Sequence, residues 1–524
     1  MLLNKRKIAL TLAIVMVVAT ILSGCAGNNG SSSAKNDLLF MGSYTAPVID
    51  WDPSIAYSVE SLVLNNFYET LLRYDPKTNE FTPILATDYS KSADGLTWTF
   101  NLRKDVKFHD GTVMDAAAVK YSLDRNRNMN KGASFIWAPV KDITVVDPDT
   151  ITITLKYPAA LDLIAACGYS AFIMSPAQAE QGTDWFQLGN EAGTGPYKLE
   201  SQVPGDQVIL AQNENYWGGW DGKHLKKIVI KNVAENASRR QMVESGEADI
   251  VNSLQVEDLI ALKDSKVVTV YTSSSYANTI GFFNTQVKPF DNKLVRQALC
   301  YAFPYDDVIK YVAQGYATRP TGPIPQGMWG ALDKPLYEYD LVKAKALLTE
   351  AGYPNGGFDM LITYISGVED RKKTAELYKS ELEKLGIKVE LRGMPWDSMW
   401  ELAKSPKPED RQDFLSIAWW PDVVTPASWF NALYHSEKDI FFNLGYYSNP
   451  KLDAIIEEAD KTSGVDRAKA TELYKEAGTI VADDAVSLFV TDGKSIYTIN
   501  NSLKNFSENP AYPYILFFYD FYKE

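Results

Sequence analysis

From Asp37 onward the sequence alternates strand and helix signals over about 490 residues without a repeat period, more chain than one hydrophobic core organises. Such a chain folds as a mixed α/β protein of two or three domains, not as a solenoid or a propeller. Residues 38–42 read as a first strand, and Thr97–Leu102 and Thr150–Leu155 alternate like half-buried strands. Residues 341–351 read as a helix stopped by Gly352 and Pro354. Residues 372–385 read as a second amphipathic helix, closed by Gly386 and followed by a strand over 387–391. These helix-to-strand units build a sheet covered by helices.

At the N-terminus, Lys5, Arg6 and Lys7 precede an apolar run over 8–22 that ends in Leu22-Ser23-Gly24-Cys25. The pattern is that of a secretory signal, and about 15 apolar residues fall short of the roughly 20 that span a bilayer. Leu-Ser-Gly-Cys resembles the bacterial lipoprotein signal, in which the cysteine thiol is acylated. The resemblance implies a mature chain that starts at Cys25 and is anchored by lipid on that residue. Residues 27–36 have a flexible-linker composition with a reach of about 17 Å.

The chain carries a net charge of −14, and loss of residues 1–24 with three positive charges takes it to −17. No Lys/Arg run beyond the leader offers a face for phosphates, which excludes nucleic acid, and the charge favours cationic ligands. Cys167 and Cys300 stand in apolar contexts and are expected as buried free thiols. His109, His224 and His435 are far apart, and no zinc, nucleophile-elbow, Walker or dinucleotide motif occurs, so each histidine reads as a structural, hydrogen-bonded residue. Gly193-Thr194-Gly195-Pro196 reads as a turn. Asp483 and Asp484 are neighbours on a helix and point apart, whereas glycoside hydrolysis needs two carboxyls facing one bond. Neither an enzyme, a cofactor nor a metal site is expected.

Several segments recur in a recognisable order: Ile49-Asp50-Trp51-Asp52-Pro53, Asn66-Phe67-Tyr68-Glu69-Thr70-Leu71, Pro83-Ile84-Leu85-Ala86-Thr87, the stretch 94–111, Gly193-Thr194-Gly195-Pro196-Tyr197-Lys198-Leu199, Gly246-Glu247-Ala248-Asp249-Ile250 and Val295-Arg296-Gln297-Ala298-Leu299. Together they resemble the family 5 extracellular solute-binding proteins of ABC importers, which bind peptides, nickel complexes and some oligosaccharides. The resemblance implies an α/β fold of the class II periplasmic-binding-protein type, two main lobes joined by hinge strands plus a smaller extra lobe. Lobe I is expected from residues 38–68, 191–282 and 481–524, the small lobe from 69–190 and lobe III from 283–480. Hinge strands are expected near Gly281-Phe282-Phe283 and near residue 480. A solute buried between lobes shifts an open population towards closed, and the permease reads the closed state. The implied partners are a peptide or other small solute, the ABC permease with its cytoplasmic ATPase, and the membrane through Cys25; the protein itself is expected as a monomer.

Within lobe III, Ser416-Ile417-Ala418-Trp419-Trp420-Pro421-Asp422 ends a strand, and peptide-binding relatives carry a Trp and, three residues later, an Asp that pairs with the ligand α-ammonium. The resemblance places Asp422 in that role; the residues alone also allow a cap for a helix near Pro426, or a turn. The family's Asp/Glu-Pro is here Thr425-Pro426. Trp419, Trp420, Trp396 and Tyr57 are candidate cleft aromatics, with core packing as the other reading. Asn252 and Ser253 are candidate polar contacts from lobe I. Three functions follow from this pattern: capture of di- or oligopeptides, with Asp422 fixing the N-terminus; the same role for an oligosaccharide or a metal chelate; and, remotely, a secreted glycoside hydrolase.

Overall fold

The computed structural model describes residues 37–56, 58–512 and 514–524. Among them one sheet of eleven strands runs through the molecule. Its strands are β1 (Leu38–Ser43), β2 (Tyr197–Val203), β3 (Gln207–Gln212), β4 (Lys227–Asn232), β5 (Ile250–Asn252), β6 (Val268–Phe283), β7 (Asp359–Ile365), β8 (Lys388–Met394), β9 (Phe414–Trp419) and β10 (Ser487–Asn500). They lie in the order β8-β7-β9-β6-β10-β5-β1-β4-β3-β2, with Ala317–Thr318 as a short strand on β10.

The long antiparallel pair β6 and β10 holds the two halves together. Its register runs from Val268 opposite Asn500 to Phe282 opposite Ser487, with irregularities between Ser274 and Asn278 and between Thr279 and Ile280. One end of the pair abuts β5, where Ile250 faces Ile499; the other abuts β9, where Phe283 faces Phe414. On the β9 side, β7 is parallel to both β8 and β9, and the connection from β7 to β8 is α1 (Glu369–Lys384). A parallel pair needs such a crossover. Among the further helices of this half are α2 (Trp396–Ala403), α3 (Ala427–Leu433), α4 (Pro450–Ser463) and α5 (Arg467–Asp483). Asn449 caps α4 by accepting from Lys451 and Leu452 N–H, and Asp466 caps α5 by accepting from Lys469 N–H.

A separate four-stranded antiparallel sheet joins Ala86–Lys91, Thr97–Leu102, Thr150–Leu155 and Val140–Asp147. Its alternation sends Trp98, Phe100, Ile151 and Ile153 inward. That core is continuous with the one under α3–α5, where Trp429, Phe430 and Tyr474 are buried. The contact is close: a Cβ on Gly464 would lie 2.4 Å from the Ala159 nitrogen, Lys91 Nζ donates to Gly464 O at 2.8 Å, and Arg467 faces Asp162 at 3.7 Å. The small sheet therefore leans on the α3–α5 half as well as on the half built around β1–β5.

The second hinge strand differs from the sequence expectation. Around residue 480 the chain is helical, because α5 runs to Asp483, and β10 begins at Ser487. The apolar pair Ile480-Val481 suits a strand equally well, but the Asp466 cap starts a helix that carries through it. Cys167 and Cys300 are buried free thiols, as expected. Each histidine is hydrogen-bonded: His109 to Glu191 and Gly195 O, His224 to Tyr519 O and Asp221 O, and His435 to Ser436 O. No described helix is long and apolar enough to cross a membrane.

Candidate functional site

β9 ends at Trp419, and residues 420–425, with Pro421 at their start, lead into α3, whose N-cap is Pro426. Strand alternation separates the two tryptophans. Trp419 turns towards α3, donating its indole N–H to Ser428 O at 2.8 Å and meeting Phe442 at 4.8 Å. Ala418 is exposed on the opposite face, and Trp420 lies edge-on to Tyr514 at 6.3 Å.

Asp422 follows in the same loop. Its backbone carbonyl accepts the Cys167 S–H at 2.9 Å, a contact made by the small lobe. Tyr169 and Tyr512, edge-to-face at 5.2 Å, also stand beside it. Among the described residues its carboxylate has no hydrogen-bond or ion-pair partner. It keeps partial accessibility towards a cavity, but the protein packed around it leaves the charge poorly solvated, which pushes its pKa up to about 7. A carboxylate in this state gains from any cation that reaches it.

A half-buried cation lies on the same half. Arg371, in the first turn of α1, donates to the Thr279 hydroxyl on β6, and Thr279 is also 3.2 Å from Thr491 Oγ1 on β10. Thr279 is the cross-strand neighbour of Ala418, four residues before Asp422. Burial lowers the Arg371 guanidinium to about 10, with only the adjacent Asp370 opposing the shift, and no carboxylate among the described residues forms an ion pair with it. Arg371, half-buried, stands in register one turn before the buried stripe of α1, which is Ala375, Tyr378 and Leu382. That spacing was visible in the sequence as positions i, i+4, i+7 and i+11. Lys373, two residues on, reaches across to Glu257 at 3.3 Å, joining the two halves at the rim.

On the β1–β5 side, Asn252 Oδ1 accepts from Tyr44 N–H at 3.0 Å, and the Tyr44 hydroxyl lies 3.4 Å from that of Tyr514. The structure thus links Asn252 to Trp420 through Tyr44 and Tyr514, two aromatic residues that sequence reasoning did not single out. Ser253 is exposed at φ 52°, and its carbonyl accepts from Arg239 at 2.7 Å. Trp396 opens α2, 39% exposed, against Trp400 at 5.3 Å. Tyr57 and Cys25 lie outside the described residues. Asp422 thus stands two residues after Trp420, which contacts link to Asn252, while Trp419 faces α3 and Trp396 lies on an aromatic cluster with Trp400 and Phe442. Among the described residues no group of three His, Cys, Asp or Glu side chains is placed to hold a metal.

Known proteins resemble this chain over most of its length. The glutathione-binding protein GsiB of Pectobacterium atrosepticum is 30% identical over 484 residues, 91% of this chain and 92% of its own length. The periplasmic binding protein DppA of Helicobacter pylori, solved with the peptide STSA, superposes with a TM-score of 0.78 at 25% identity, over 94% of this chain and 99% of that one. NikZ of Campylobacter jejuni, solved with Ni(L-His), superposes with a TM-score of 0.80 over 93% of this chain and 100% of that one; at 22% identity it speaks for the fold alone. The fold is that of the periplasmic binding proteins, and relatives of this kind capture solutes and are not enzymes. Residues 80–441 match the bacterial extracellular solute-binding proteins, family 5 (middle), and with the GsiB likeness this establishes that the chain belongs to that family of extracytoplasmic solute-binding proteins.

Proposed function

We propose that this protein captures short peptides with free termini and delivers them to an ABC permease. One observation carries the reading: two opposite charges, Asp422 and Arg371, are both poorly solvated, both lack an ionic partner among the described residues, and both belong to the β7–β9 half, Arg371 held on Thr279 beside Ala418 of the strand that leads to Asp422. A zwitterion supplies both missing partners, its ammonium meeting Asp422 and its carboxylate Arg371. DppA is solved with the four-residue peptide STSA and GsiB is named for binding glutathione, which supports a short ligand of this class. Main-chain hydrogen bonds between the lobes supply the remaining affinity.

Closure follows from the contacts already made. Cys167 to Asp422, Trp420 to Tyr514 and Lys373 to Glu257 each join the two sides. A ligand that bridges the same gap stabilises the closed population. The lobe boundaries given by the sequence, 38–68, 191–282 and 481–524 against 283–480 with 69–190 as the small lobe, remain part of this proposal. So does tethering of a monomer to the outer face of the membrane by lipid on Cys25, which Cys25→Ser removes: a variant that still partitions with membranes as a lipidated form refutes it. Mass spectrometry of small molecules released on denaturing the purified protein tests the ligand class directly. Free-ended peptides of two to four residues are expected; a sugar or a metal complex as the sole released species refutes it.

A further inference from the structure

The Asp422 loop borders a cavity of about 380 Å³ between the small lobe and the α3–α4 region, and the cleft chemistry described above does not use it. Its walls are apolar on both sides: Ile136, Ala160 and Ile164 from the small lobe, and Val423, Ala432 and Phe442 from the other. The charged side chains that line it are all acidic, namely Asp422, Glu437 and Asp460, with no Lys, Arg or His. Glu437 is committed to the backbone N–H groups of Phe441, Phe442 and Asn443. Asp460 accepts from Asn431 Nδ2 at 2.6 Å and from the Tyr474 hydroxyl, and a carboxylate has lone pairs left after two such bonds. Of the basic side chains around it, Lys91 is engaged with Gly464 O, Arg467 with Asp162, and His435, which also acts on Asp460, lies 3.6 Å from Glu457.

We infer that this cavity receives the side chain of the ligand's first residue and selects a long basic one, lysine or arginine. The inference rests on the peptide reading, because the α-ammonium on Asp422 is what delivers the side chain there. The aliphatic stem lies on the apolar walls and the cationic head reaches Asp460, so each half of an amphipathic side chain meets its own kind of surface. The volume exceeds that of such a side chain, and the remainder suits a few waters at about 30 Å³ each, which the polar end tolerates. A carboxylate side chain in the same place meets three negative charges and no cation.

The test is calorimetry of Lys-Ala-Ala, Leu-Ala-Ala and Glu-Ala-Ala against the wild type, Asp422→Asn and Asp460→Asn. Lys-Ala-Ala should bind about 10-fold to 100-fold more tightly than Leu-Ala-Ala, the range of a charge-assisted hydrogen bond, with Glu-Ala-Ala weakest. Asp460→Asn should remove the Lys preference and leave Leu-Ala-Ala unchanged. Should that variant fail to fold, Ala432→Leu fills the cavity instead and should lower the affinity of Lys-Ala-Ala more than that of Ala-Ala-Ala. Equal binding of all three peptides, with loss in Asp422→Asn, overturns the side-chain pocket and leaves peptide capture standing. Tighter binding of Leu-Ala-Ala than Lys-Ala-Ala overturns it as well. Binding of none of the three removes the peptide reading itself, and the pocket with it.

Discussion

Affinity for a free-amine peptide should collapse on mild acidification, and Asp422 should be the cause. In the unliganded protein burial holds its pKa at about 7, above the ordinary value of 3.8, so half of the molecules carry the charge at pH 7 and about 1% at pH 5. An ammonium binds the ionised form, and the peptide amine stays protonated over this range. The dissociation constant should therefore rise about 50-fold between pH 7 and pH 5, or ~2.3 kcal/mol at 1.36 kcal/mol per unit. The sign is fixed: lowering pH protonates the acceptor before it touches the donor. Asp422→Asn should remove the slope and weaken binding about 30-fold to 1000-fold at pH 8, because the ligand charge is then buried without a partner. Isothermal titration of a dipeptide and its N-acetylated form, at half-unit steps from pH 5 to 8, separates the contributions. The same slope for both ligands, or an unchanged slope in Asp422→Asn, refutes the assignment.

Asp492 on β10, 3% exposed, has one oxygen bonded to Gln326 N–H at 3.0 Å and the other without a partner among the described residues, and burial takes its pKa to about 7. The native state then holds a proton that the unfolded chain releases between about pH 4 and 7. Stability should fall with rising pH through that window, by an order of 2–4 kcal/mol, and Asp492→Asn should flatten the curve; parallel melting curves for the two proteins contradict this. Gly281→Ala places a Cβ 2.0 Å from the Phe414 ring, and should cost about 1–3 kcal/mol in urea unfolding; an unchanged midpoint shows that the ring moves freely. Cys167→Ala removes the S–H donor to the Asp422 carbonyl and should weaken peptide binding by about 3-fold to 10-fold, while Cys167→Ser retains it. Equal losses in both variants reduce the contact to packing.

Much of the scaffold was legible in the sequence because period and punctuation agree there. The strands Thr97–Leu102 and Thr150–Leu155 stand where alternation put them, and Gly352 and Gly386 close their helices at φ 93° and 80°. Beginning the helix at Lys372 and not at Glu369 hid the most informative cation. Arg371 falls in Glu-Asp-Arg-Lys-Lys, which reads as a solvated charge run until the helix register sets it on the face of Ala375 and Tyr378. Tyr44, Tyr514 and Cys167 were invisible for a different reason: they reach the cleft from segments far apart in the chain, and no local pattern marks a residue whose role depends on a partner more than 200 positions away. Asp422 was found by resemblance, but its lack of a partner is a property of three-dimensional packing alone.

The shared sheet has a mechanical consequence. Because β6 and β10 pair from Val268–Asn500 to Phe282–Ser487, broken only over residues 275–277, the closure proposed above should work as torsion along a ribbon and not as the swing of a slack linker. The register irregularities at Ser274–Asn278 and Thr279–Ile280 are where a ribbon twists most readily, and Thr279, the residue that Arg371 grips, sits between them. A torsional joint has no broken bonds to remake, so a small ligand suffices to bias it. It also links both ends of the ribbon, so that under this proposal the far tips of these strands, at Val268 and Asn500, should turn when a ligand binds between the lobes.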